Sequence, residues 1–166
     1  FAQERQAPFT VVETGRGYDR LQDAVNAIGD ARGSISIAPG RYEQCAVQTA
    51  GSVSYLAAQA GSAVFDGVTC EGKAALVLRG RSAEVSGIVF QNMRVPDFNG
   101  SGIRLEQGDL TVAESWFRDS QQGILTHNDP TGQLVIDRST FTRLGTCEGS
   151  GGCAHSIYTG EYGHVR

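Results

Sequence analysis

Arg79, Glu106 and His127 are the side chains of this chain whose types and placement best suit proton-transfer chemistry. Each ends a short β-rich run: Leu76-Val77-Leu78, Ile103-Arg104-Leu105 and Ile124-Leu125-Thr126. Strand side chains alternate between faces, so Leu76, Leu78, Ile103, Leu105, Ile124 and Thr126 share an inward parity and their neighbours point out. If the runs stack as successive rungs about 4.8 Å apart, two outward columns form. One is Arg79–Glu106–His127–Gly160 and the other Val77–Arg104–Leu125–Tyr158. In the first, Glu106 or His127 moves a proton beside a cationic Arg79. In the second, Arg104 and Tyr158, with Asp129 nearby, are the candidate ligand-binding residues, the guanidinium suiting a carboxylate. The alternative is a solvated strand face with a cross-rung ion pair.

The other chemical signals are weaker. Asp109, Asn128, Asp129 and Glu161 follow the same runs and offer hard oxygens of the kind Ca²⁺ takes, but Asp and Asn are also the commonest turn formers. No cofactor is expected, with Ca²⁺ as the weak alternative. Cys147, Cys153 and His155 supply only three local ligands, one short of a closed zinc site, so a disulfide across this Gly-rich loop is expected instead. Gly149-Ser150-Gly151 lacks the spacing and context of a nucleophile elbow. Asn99-Gly100-Ser101 matches a glycosylation sequon, and Trp116 could stack on sugars or cover a turn.

These residues need a scaffold that repeats. Phe90 to Phe117 spans 27 positions and Phe117 to Phe141 spans 24, and three short β-runs recur within each unit. Such a unit cannot bury its own apolar face, but stacked copies make one continuous core. The expected fold is all-β, a right-handed parallel β-helix with three strands per rung; a sandwich or jelly roll would not give in-register copies. One helix is expected over Asp19–Ile28, with Leu21, Ala24, Val25 and Ile28 in one stripe, Asp19 and Gln22 as a capping box and Gly29 as its stop. It follows a strand at Phe9–Glu13 and a break at Gly15-Arg16-Gly17, and it caps the exposed edge of the first rung. A flexible lead-in over 1–8 and a single domain over 9–166 complete the division, with the capping strand and helix at 9–29 and the rungs from about 34. The chain stops as a new strand starts, so its C-terminal edge is expected to be covered by further chain or by a partner subunit.

Composition narrows the partners. With 166 residues, 40% hydrophobic and 19% charged, the chain fits one globular domain. The 22 glycines imply many tight turns, and the net charge of −4 gives no footprint for nucleic acid. No apolar run is long enough for membrane insertion. The four cysteines point to an oxidising compartment, hence a secreted or periplasmic protein. Cys45 and Cys70 lie one coil apart and are expected to pair between rungs, as Cys147 and Cys153 are across their loop.

The chain also resembles the pectin lyase-like β-helix superfamily. Its opening is most similar to pectin methylesterases: Phe9-Thr10-Val11-Val12, the Gly15-Arg16-Gly17 turn, Leu21-Gln22-Asp23-Ala24-Val25, Ile35 to Glu43 and Gly87 to Asn92. The resemblance implies a polysaccharide partner and a substrate groove floored by the sheet that carries the Gly-Ile runs. The esterase chemistry needs two aspartates, and Gly123 and His155 stand at the matching places. The expectation is therefore a lyase- or hydrolase-like protein acting on an extended polysaccharide, not a methylesterase; the alternative is a non-catalytic glycan- or protein-binding envelope or adhesin module.

Overall fold

A computed structural model describes residues 6–149 and 152–166. The chain opens with a hairpin of β1 (Phe9–Val11) and β2 (Arg16–Tyr18), followed by helix α1 (Leu21–Ile28). Strands then rotate through three sheets. The first sheet takes β3 (Arg32–Ile37), β6 (Ser52–Ala57), β9 (Ser82–Ser86), β12 (Asp109–Ala113), β15 (Asp129–Asp137) and β18 (Tyr162–Val165). The second takes β4 (Gly40–Tyr42), β7 (Ala63–Asp66), β10 (Ile88–Gln91), β13 (Trp116–Ser120) and β16 (Thr140–Leu144). The third takes β5 (Ala46–Gln48), β8 (Ala74–Leu78), β11 (Ser101–Leu105), β14 (Gln122–Thr126) and β17 (Ile157–Tyr158). Within each sheet these strands pair in parallel, which makes the molecule a parallel β-helix.

The register follows the inward apolar residues. Ala46, Leu76, Ile103, Ile124 and Ile157 align across the third sheet. In the second, Tyr42, Phe65, Phe90, Phe117 and Phe141 align and form an aromatic stack with centroid spacings of 5.4, 6.0, 5.0 and 4.8 Å. Offset ring packing of this kind adds about 0.5–1.5 kcal/mol per pair beyond area burial. The stack helps explain the glycines before Ile103 and Ile124: a Cβ on Gly102 would lie 2.7 Å from the Phe117 ring, and one on Gly123 would lie 2.9 Å from the Phe141 ring and 2.5 Å from the Ser156 carbonyl oxygen. The turns from the first sheet to the second are stitched by serines, Ser115 Oγ accepting from the Ile88 amide and Ser139 Oγ from the Ser115 amide.

The N-terminal end departs from expectation in three places. The helix begins at Leu21, and neither Asp19 nor Gln22 caps it. Gln44 of the first coil supplies the acceptor for the Leu21 amide (2.9 Å), while Gln22 is drawn sideways to the backbone of Val47. A tertiary bond has replaced the local one. Arg16 and Gly17, expected as a break, are strand residues that pair with Val11 and Thr10. Of the lead-in, residues 1–5 lie outside the described residues, and Pro8 is already fixed, its carbonyl accepting from the Ala38 amide. The helix covers the first coil as expected, burying Leu21, Ala24, Val25 and Ile28.

Both expected disulfides are present: Cys45–Cys70, with a Cα separation of 5.5 Å, and Cys147–Cys153. No described helix is long and apolar enough to cross a membrane.

Candidate functional site

The outer face of the third sheet carries the expected columns. Val47, Val77, Arg104, Leu125 and Tyr158 align there. It is not an open solvated face, because Val77 is fully buried and Leu125 nearly so although neither belongs to the core cluster. Loops on the edge facing the second sheet fold over it. The spacing from each stacked Phe to the next inward Ile is 13 (Phe90–Ile103), 7 (Phe117–Ile124) and 16 (Phe141–Ile157). The two long connections rise as walls and touch where Gly149 packs against Phe98.

The first wall is held from below. Gln121, nearly fully buried, accepts with its Oε1 from the amides of Val95 (2.9 Å) and Gly100 (2.8 Å). Met93, fully buried, has its amide bonded to Ser120 Oγ. The Cys147–Cys153 disulfide closes the second wall. Gly149-Ser150-Gly151 lies partly outside the described residues.

Between the walls lies a groove of about 700 Å³ lined by Asp97, Asn99, Arg104, Gln122, His127, His155 and Tyr158 among others. Arg104 is the one Arg or Lys among its described lining residues. Its Nε is buried and has no hydrogen-bond partner among the described residues. Gln122 donates its Nε2 to Asn99 (2.6 Å), and its buried Oε1 is likewise unpartnered. A buried donor and a buried acceptor without partners each carry a desolvation cost of about 1–3 kcal/mol. Tyr158 stands two rungs from Arg104, and the His155 ring stacks on it with centroids 5.7 Å apart.

Arg79 and Glu106 meet as expected, but they are spent on structure. Arg79 Nε donates to Glu106 (2.5 Å), and its NH1 and NH2 both bind Glu71. Lys73 takes the other Glu106 oxygen (2.6 Å). Burial pushes the Glu106 carboxyl up, but the hydrogen bonds from Arg79 and Lys73 outweigh it and hold it below the ordinary carboxylate range. A carboxylate with both oxygens bound and a lowered pKa is a poor proton carrier near neutrality. His127 follows on the next rung, exposed, and borders both the main groove and a shallower one lined by Arg79, Glu106 and Asp129.

Asp129 faces away from the main groove and serves its own turn, accepting from the Gly108 amide and from Thr131. Asp109 accepts from the Gln133 amide and Asn128 from the Glu161 amide, so these oxygens too hold backbone. No group of three His, Cys, Asp or Glu suited to a metal occurs among the described residues. Trp116 lies on the second sheet, away from the groove, with the Arg118 guanidinium 4.4 Å from its ring centroid and its Nε1 bonded to Thr142.

Glu71, Lys73, Gln121 and Gln122 were not singled out in the sequence. Glu71, Lys73 and Gln121 sit in connections without periodicity and Gln122 at the first position of β14, and the one signal for them was the unequal Phe-to-Ile spacing, which marks where loops must cover the sheet. No family model, curated protein or solved structure matches this chain.

Proposed function

We propose that the groove on the third sheet binds an acidic polysaccharide and that its chemistry is of the lyase type. The observation that carries this is Arg104, the one Arg or Lys among the described lining residues, whose Nε has no hydrogen-bond partner among the described residues. A uronate carboxylate supplies the missing acceptor, and the sugar hydroxyls beside it supply a donor for Gln122 Oε1. Neutralising that carboxylate also acidifies the adjacent C5–H bond, the step that β-elimination requires. His127 or His155 takes the C5 proton, and Tyr158 protonates the departing glycosidic oxygen. Hydrolysis fits less well, because it uses paired carboxylates and Asp97 is the one acid among the described groove residues.

A non-catalytic glycan-binding module is the second reading. One observation favours it: the His127 imidazole has no orienting hydrogen bond among the described residues, whereas catalytic bases are usually held by a third group. Two disulfides in the fold accord with secretion or a periplasmic location, where such polymers are met. Likeness to the pectin lyase-like superfamily remains part of the same proposal, supported by the architecture and by the groove on the expected sheet.

The test is a panel of polygalacturonate, alginate and a neutral xylan, read both for binding and for the ultraviolet absorbance of unsaturated uronate. Binding of the acidic polymers, lost in Arg104→Ala, supports the site, and the unsaturated product decides between enzyme and module. Equal binding of xylan, or full binding by Arg104→Ala, refutes it.

A further inference from the structure

We propose that Glu71, Lys73, Arg79 and Glu106 form an end wall across the third sheet, so that the groove seats the terminus of an acidic chain and not an interior stretch. The inference rests on the polysaccharide reading above. Glu71 and Lys73 lie in the connection that precedes β8, whereas Arg79 follows β8 and Glu106 follows β11. Their contacts therefore run along the outer face of the sheet, from the start of one strand to its far end. Val77 is the outward side chain in the middle of that span, and it is fully buried although it faces away from the core. The groove begins one rung later, at Arg104, and neither Val77 nor Glu71, Lys73, Arg79 or Glu106 lines it.

The wall is anchored at both ends. Cys70, one residue before Glu71, is tied to Cys45 of the coil below, and its amide bonds the Ala74 carbonyl. The Lys73 carbonyl accepts from the Ser101 amide on the next rung. At the far end the Arg79 and Glu106 amides are fixed to Gln48 and Leu78. The ion pairs alternate in sign and sum to no net charge. The wall thus competes neither with the ligand for Arg104 nor with Arg104 for the ligand. An interior polymer segment needs an exit at both ends of the floor, and on this side the floor is closed.

The experiment measures binding of polygalacturonate fractions of increasing length, compared at equal mass. End recognition makes binding per unit mass fall in inverse proportion to chain length, because ends become scarcer. Glu71→Ala combined with Lys73→Ala removes the loop-borne half of the wall, uncovers Val77 and restores binding to long chains per unit mass. Binding per unit mass that is independent of length in the wild-type protein overturns the end wall and leaves the polysaccharide site standing. A double variant with a native circular dichroism spectrum and unchanged length dependence overturns it too. Absence of binding to every fraction removes both proposals together. Should the double variant not fold, the wild-type length series decides alone.

Discussion

Replacing Gln121 with Leu tests how the groove's first wall is held. In the native protein one buried amide oxygen satisfies the backbone N–H groups of Val95 and Gly100. Leucine is similar in size but offers no acceptor, so two N–H groups are left unpaired. Each costs about 1–3 kcal/mol if it stays buried, or roughly 2–6 kcal/mol for the pair. The paired strands on either side, β10 and β11, do not depend on this side chain, so lifting the connection between them is the cheaper response. Amide hydrogen exchange is the assay. At a tenfold change per 1.4 kcal/mol, the lower bound predicts that protection at Val95 and Gly100 falls by about 30-fold or more. Protection at Ile103 and Leu105 should hold, and uronate binding should weaken with the wall gone. If the Val95 and Gly100 amides exchange as slowly as in the wild type, the wall is held by something other than Gln121. If all four amides accelerate together, the wall and the coil open as one unit and the local argument is wrong.

Three further outcomes are expected. Phe117→Leu loses ring stacking on two sides and Phe141→Leu on one, so at about 0.5–1.5 kcal/mol per stack the first should cost about twice the second in urea denaturation; equal losses would count against the aromatic ladder. The Glu71 carboxyl is pulled down to about 2 by its bonds to Arg79, and Glu106 is lowered as well, so the end wall's contribution is complete above about pH 4.5 and lost as pH falls toward 2. Melting temperature should drop across that window in the wild type and drop less in Glu71→Gln, and parallel profiles would argue against the assignment. Removing Cys45–Cys70, which closes a 25-residue separation, should cost about 3.5 kcal/mol on chain entropy against about 2 kcal/mol for the 6-residue Cys147–Cys153, and the reverse order in thermal melts would show that loop closure is not what these bonds contribute.

The sequence was legible wherever a rule of period or parity applied. Phe90, Phe117 and Phe141 announced the coil length, and the inward Ile and Leu of the Gly-Ile runs fixed which neighbours face out, because a slip by one residue would bury Arg79 and Glu106 in the core. The pairing of Cys45 with Cys70 followed from the same spacing. Local rules misled where a tertiary partner outbid them, as at the helix start, where Gln44 of another coil displaces Asp19. The candidate site was legible only in outline. Parity placed Arg104, His127 and Tyr158 on one face, but it could not show that Glu71 and Lys73 reach across to engage Arg79 and Glu106. That contact is set by the path of an irregular connection, which carries no periodic signal.

The glycines beneath the aromatic stack have a consequence for how such a protein can change. Each coil meets the next through one ring, one small residue and one inward aliphatic, and these are the same at every level from Phe90 to Phe141. A whole coil could therefore be duplicated or deleted without creating a mismatched joint, whereas a change of two or three residues would break the column. Variation by entire coils lengthens or shortens the groove while keeping the ring-on-ring joint between coils. Reach along a polymer and grip on a single sugar can then evolve separately.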